Sequence, residues 1–170
     1  MSDTGPAKTV RESQVELSAA MGLGDANLAG FVHGGVIMKL VDSAGGLCAI
    51  RHARGPVVTA AIDEMVFVCP IQLGSLVTVK ASVNLVGTTS MEVGVRVETE
   101  DVMTSERAHA SSAYLVFVAL DDKTGRPRPA PALIPETPDE KRRMREAGIR
   151  RQARLARRAS ILADRSSPLD

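Results

Sequence analysis

The 170-residue chain is 44% hydrophobic and 24% charged with a formal net charge of +1, a balance that fits one domain with its own core and leaves no room for a second full one. No run of about 18 apolar residues exists to cross a membrane, and the start, Met1-Ser2-Asp3-Thr4-Gly5-Pro6, lacks the basic and apolar regions of a signal peptide. Cys48 and Cys69 lie in apolar surroundings, where buried thiols are expected rather than a disulfide or a metal pair. A cytoplasmic protein with no membrane partner and no metal is expected. Its only aromatic residues are Phe31, Phe67, Tyr114 and Phe117, so Val, Leu, Ile, Ala and Met must build the core.

In chain order, Glu12 to Leu17 alternates weakly and reads as a first strand before the turn Gly22-Leu23-Gly24. That turn lacks the third glycine and the following βαβ pattern of a dinucleotide fingerprint. A polar loop, Asp25-Ala26-Asn27, then leads to His33-Gly34-Gly35, where a long apolar helix begins; it runs to about His52 and is stopped by Arg54-Gly55-Pro56. At about 100° per residue, Val36, Ile37, Leu40, Val41, Ala44, Leu47 and Cys48 share one face. Met38, Asp42, Gly45, Gly46 and Ala49 share the other, which is too apolar for an ordinary solvated surface. Two consecutive helical glycines cost about 1 kcal/mol each relative to Ala, which points to a close approach by another backbone or a ligand. Asp42 is therefore expected to be partly desolvated, with a raised proton affinity suited to a base or nucleophile.

Beyond the helix the period becomes alternating. Val57 to Val68, Leu76 to Val86, Ser90 to Glu100 and Arg107 to Leu120 read as strands, joined by connections short enough for antiparallel neighbours. Asp121-Asp122-Lys123-Thr124-Gly125 reads as a hairpin-type turn into a proline-rich segment. The fold class is α+β, an antiparallel sheet of five to six strands wrapped around one long central helix, each burying the apolar surface of the other. Residues 1–135 form this domain. Residues 136–170 form a basic helix and tail, with Thr137 as a cap, expected to lie on the surface or to fray beyond Arg158. The charge divides with it: residues 1–135 hold 11 basic and 14 acidic groups, and residues 136–170 hold 10 and 6.

With the elements placed, the residues resemble the hotdog-fold acyl-CoA thioesterases of the broad-range bacterial and cytosolic type, over roughly residues 10–150. The resemblance is carried by Asp25-Ala26-Asn27-Leu28-Ala29-Gly30-Phe31-Val32-His33-Gly34-Gly35 followed by Lys39-Leu40-Val41-Asp42. Ala49-Ile50-Arg51-His52, Val58-Thr59-Ala60, Pro70-Ile71, Thr89-Ser90-Met91-Glu92-Val93 and Val118-Ala119-Leu120-Asp121 follow in the same order. It implies hydrolysis of fatty acyl-CoA with coenzyme A as part of the substrate and no separate cofactor. It also implies a catalytic pair falling on Asn27 and Asp42, edge-to-edge homodimers with the active sites at their interface, and a trimer of dimers.

Asp42 lies about 10 Å along the helix from Gly35 at roughly 1.5 Å per residue, while Asn27 precedes the helix, so one chain can supply the helix start and a second the acid. The backbone N–H groups of Gly34, Gly35 and Val36, at the positive end of the helix dipole, are candidate donors to the thioester carbonyl. His33, Thr59, Thr89 and Ser90 are candidate substrate contacts, Thr89 and Ser90 through the pantetheine arm. His33 has no Gly-x-Ser-x-Gly nucleophile or paired acid beside it, so it is read as orienting the loop rather than as a base. Met38, Met65 and Phe67 are candidates for closing the acyl tunnel.

Among the tail arginines, Arg142, Arg143, Arg145, Arg150, Arg151, Arg154, Arg157 and Arg158, a solvated face is the simplest expectation. A contribution to the phosphates of coenzyme A is the alternative. Interspersed acids and the lack of stacking aromatics argue against nucleic acid. Two rivals remain: a non-catalytic acyl-CoA-binding module or regulator, which calls for a DNA-binding domain or a lost Asn27/Asp42 pair, and a hydratase of enoyl-CoA, which calls for a differently arranged Asp and His.

Overall fold

The computed structural model describes residues 5–166. Its elements are β1 (Lys8–Thr9), β2 (Val15–Ala20), α1 (Gly34–Ala53), β3 (Val57–Phe67), β4 (Leu76–Val86), β5 (Ser90–Asp101), β6 (Glu106–Ala119), β7 (Leu133–Ile134) and α2 (Pro138–Ser166). β2 to β6 make one antiparallel sheet in the order β2-β4-β5-β6-β3, and β1 pairs with β7 in a separate two-stranded parallel ribbon. The first long strand starts at Val15 rather than Glu12, because Arg11–Ser13 close a single 3-10 turn, with Glu12 accepting hydrogen bonds from the backbone and hydroxyl of Thr9.

The sheet curls around α1 because alternate residues of its central strands are apolar and point to one side. Val77, Val79, Ala81 and Val83 of β4, Met91, Val93, Val95 and Val97 of β5, and Ala113, Leu115, Phe117 and Ala119 of β6 are all buried there. The helix meets them with Ile37, Val41, Ala44, Gly45, Cys48, Ala49, His52 and Ala53. This corrects the helical-wheel reading: Gly45 and Ala49 belong to the buried side, and Leu47 is exposed. What approaches the glycine pair is also different from the expectation. It is the Phe117 ring of the same chain, 3.2 Å from where a Cβ on Gly45 would stand and 3.8 Å from one on Gly46. The thiols divide: Cys48 is buried, Cys69 only half-buried, and both are free.

The end of α1 is tied down by cations. Lys8 Nζ, itself buried, donates to the carbonyls of Arg51 and His52 at 2.8 and 2.7 Å, and Arg128 donates to the Ala53 carbonyl at 2.7 Å. Charges of this sign favour the negative end of the helix dipole and satisfy its unpaired carbonyls. Arg54 ends the helix in the left-handed region at φ 54°.

α2 starts with a reciprocal cap, Thr137 Oγ1 accepting from the Glu140 backbone and Glu140 accepting from the Thr137 backbone, with Pro138 as first helical residue. It continues as helix to Ser166, past the expected fraying point at Arg158. Among the described residues no helix is long and apolar enough to cross a membrane.

His52 is fully buried between three segments. Its Nε2 donates to the Pro131 carbonyl at 2.9 Å and its Nδ1 faces the Ser13 hydroxyl at 3.3 Å. Burial lowers its pKa below the ordinary 6.5; the Pro131 hydrogen bond opposes that, nearby Lys8 adds to it and Glu12 opposes it. As pH falls through about 6.5 the unfolded chain takes up a proton that the folded one refuses until lower pH, so stability falls on the acid side of that value. His52→Gln is expected to flatten the fall in unfolding free energy between pH 7 and 5, measured by urea denaturation at each pH. An unchanged slope would refute the assignment.

Candidate functional site

Asp42 stands on the side of α1 that the sheet leaves uncovered, and it is exposed in the protomer rather than desolvated as expected. Any burial of this carboxylate must come from outside the chain. One oxygen is already held: Thr59 Oγ1, on β3, donates to Asp42 Oδ1 at 2.9 Å. The register explains how Thr59 gets there. Thr59 pairs with the inward-facing Phe117, so its side chain points to the helix side, and β3 is the edge strand, so the helix flank is within reach. The second oxygen of Asp42 has no partner among the described residues. Met38 is exposed on the same helix, and Ile62 and Phe67 are exposed in the helix-facing row of β3, giving the acid an apolar frame.

Asn27 lies in a tight loop that its own side chain closes. Its Oδ1 accepts from the backbone of Ala29 at 2.9 Å and Phe31 at 3.2 Å, while its backbone N–H donates to the Phe31 carbonyl. With the oxygen engaged, the amide NH2 is the side-chain group left to donate outward. No hydrogen bond joins Asn27 to Asp42 within the protomer.

His33 is the N-cap of α1. Its Nδ1 accepts from the Gly35 N–H at 2.8 Å, and its carbonyl accepts from the Val36 N–H at 2.9 Å. Of the three candidate backbone donors, Gly34 is thus the one whose N–H has no partner among the described residues. The Phe67 ring closes over Gly34, 3.4 Å from where a Cβ would stand. Asp25 supports the same loop: its carbonyl accepts from the His33 N–H and its carboxylate from the Gly22 N–H.

Thr89 and Ser90 lie elsewhere. Ser90 pairs with Val118 and so shares the row of Val58, on the face opposite to Thr59. There the Ser90 hydroxyl and the Arg151 guanidinium both close over Gly87. Burial pushes the Cys48 thiol up to about 12, far from a reactive thiolate. Among the described residues no group of three His, Cys, Asp or Glu is placed to hold a metal.

The tail arginines are not a uniformly solvated face. Arg150 forms a forked pair with buried Glu92, with a contact of 2.7 Å, and lies 3.6 Å over the Tyr114 ring; Glu92 also accepts from Asn84. Arg154 pairs with Asp63, and Arg142 with Asp139 and Glu146. The sequence alone does not pair Glu92, since its partner is 58 residues away. Removing one member of a buried pair strands the other charge, at about 3–5 kcal/mol. Arg150→Ala is expected to lose about 3 kcal/mol in urea denaturation, with Arg151→Ala, whose arginine makes no ion pair among the described residues, close to wild type. Equal stabilities would remove the role given to Arg150.

Residues 29–106 match the family described as the thioesterase superfamily. The chain is 40% identical over 140 residues to the cytosolic acyl coenzyme A thioester hydrolase of Mus musculus, covering 81% of this chain and 36% of that protein, so it spans about a third of that relative's length. The acyl-CoA hydrolase of Staphylococcus aureus, solved with butyryl coenzyme A, coenzyme A and coenzyme A disulfide, superposes with a TM-score of 0.86 at 34% identity, covering 94% of this chain and 96% of that one. The same protein has been solved with an Asp, an Asn or a Thr replaced by Ala. An apo-hexameric acyl-CoA thioesterase superposes with a TM-score of 0.87 at 33% identity, covering 91% of this chain and 98% of that one.

Proposed function

The chain belongs to the thioesterase superfamily, and on that premise we propose that it is an acyl-CoA thioester hydrolase, cleaving fatty acyl-CoA to a free fatty acid and coenzyme A. The observation that carries the reading is the state of Asp42: one carboxylate oxygen held by Thr59, the other free, on an exposed apolar-framed face of the central helix. The Asp, Asn and Thr replaced in the S. aureus hydrolase are the residue types found here at Asp42, Asn27 and Thr59.

In this reading the thioester carbonyl accepts from the Gly34 N–H and from the Asn27 amide of one protomer, where donors and the positive helix end coincide. Asp42 of a second protomer takes a proton from the attacking water, or itself attacks the carbonyl to form an acyl-aspartyl anhydride that water then hydrolyses to the free acid and the carboxylate. The carbon–sulfur bond breaks and the thiolate leaves as coenzyme A after gaining a proton. His33 serves by holding the helix start in shape, and Thr59 by fixing the carboxylate. Coenzyme A enters only as part of the substrate, and the reaction takes place in the cytoplasm.

The two protomers join along β3. This strand is 11 residues long, lies at the sheet edge and exposes Val58, Ile62 and Val66, and a long apolar edge invites pairing with another chain. Joining at β3 brings Asp42 and Thr59, which flank that edge, toward the helix start of the other copy. Three such dimers make a hexamer, a reading supported by one solved neighbour's being hexameric.

Thiol release from acyl-CoA of several chain lengths tests the activity: release supports hydrolysis, and binding without release supports the non-catalytic module. Asp42→Ala is expected to lower kcat by about 10²-fold or more, the usual scale for a base, with the assembly still folded. Asn27→Ala is expected to lower kcat more than it raises KM, and Thr59→Val to fall between wild type and Asp42→Ala. Near-normal turnover by Asp42→Ala would overturn the assignment.

A further inference from the structure

The last turns of α2 run past the ion pairs that tie the helix to the sheet. Arg150 anchors the helix over Glu92 of β5, and Arg154 and Arg157 anchor it over Asp63 of β3, the last strand of the sheet. The helix therefore crosses the outer face from the middle of the sheet to its free edge, and then continues to Ser166. The nine residues beyond Arg157 extend about 13 Å at roughly 1.5 Å per residue, close to the width of three strands at about 4.8 Å each. Every residue from Leu155 to Arg165 is exposed.

Helical spacing sets the direction in which this overhang faces. Ile161 comes seven residues after Arg154 and eleven after Arg150, close to whole turns, so it shares their sheet-facing side. Arg158 and Arg165, four and eleven residues after Arg154, lie along the same line. Ile161 is 46% exposed, and among the described residues neither Arg158 nor Arg165 forms an ion pair. A helical end this short is marginal in water without packing. Its sheet-facing side carries an apolar residue and two unmatched cations above the place where this protomer's sheet has ended.

We propose that this overhang clasps a second copy of the chain, lying on the outer face of the sheet that continues past β3. The proposal rests on the edge-to-edge pairing given above. Charge complementarity names the occupant. Glu64 of β3 pairs in register with Tyr114, and Tyr114 lies under Arg150, so Glu64 points to the α2 side. It is exposed and forms no ion pair among the described residues. On a second copy it offers an acid to Arg158 and Arg165 of the first, and two-fold symmetry makes each copy give one overhang and receive one.

Sedimentation equilibrium of full-length protein tests this. Ile161→Asp, and separately Arg158→Glu with Arg165→Glu, are expected to raise the dimer dissociation constant at least tenfold with unchanged circular dichroism. Glu64→Arg is expected to weaken association alone and to restore at least threefold of the loss when combined with Arg158→Glu and Arg165→Glu. Variants that associate as tightly as wild type overturn the clasp while leaving edge pairing intact; a wild-type monomer overturns both. Amide exchange needs no substitution: residues 158–166 are expected to be protected in the associated protein and to exchange freely on dilution to the monomer. Equal exchange in both states overturns the clasp.

Discussion

The ring of Phe117 presses against the middle of α1 at Gly45, where a Cβ would stand 3.2 Å from ring carbons. Ala44, Cys48 and Ala49 beside it are also small and wholly buried, so a strongly curved sheet can close on one side of the helix. The consequence is one-sidedness. The sheet takes the small residues, and Met38, Asp42, Leu47 and Ile50 are left facing out. A bulkier residue at Gly45 would push β6 away and with it β3, which pairs with β6 and carries Thr59 to Asp42. The candidate site is in this sense built by the core beneath it.

The two ends of α1 are treated differently. At the C-terminus Lys8 and Arg128 occupy the last carbonyls and His52 is buried against Pro131, so that end is locked into the body. At the N-terminus His33 occupies two N–H groups and leaves that of Gly34 open. The positive end of the helix dipole therefore faces an open position beside the Asn27 loop, where an oxygen gaining negative charge would be favoured. Rigidity at one end and an open donor at the other suit a helix that must position chemistry without moving.

On the outer face, α2 is held by charge rather than by apolar packing alone. The buried Glu92 carboxylate, the Arg150 fork and the Tyr114 ring form one unit, and pairs of this kind contribute less to net stability than to registering one element on another. The register matters because it aims the rest of α2 across β3. A helix shifted by one residue would turn Arg150 and Arg154 by about 100° away from their acids.

Much of this was legible in the residues themselves. The alternating Val-rich runs marked four of the five long strands to within about a residue, because strand period depends on local order alone. His33-Gly34-Gly35 marked the helix start, and Asp42 stood out as an acid in apolar company, while Asn27, in a polar loop, was singled out only by the family resemblance. What the sequence could not decide was which side of an almost wholly apolar helix is buried, since hydrophobicity differs little around it and side-chain size, tested against Phe117, makes the choice. Nor could it pair Asp42 with Thr59 or Glu92 with Arg150, 17 and 58 residues apart, because those contacts exist only once the strand order puts β3 at the edge and α2 on the outer face. Local sequence determined the elements and named the acid; the sheet's topology decided what the acid touches and which face of it stays open.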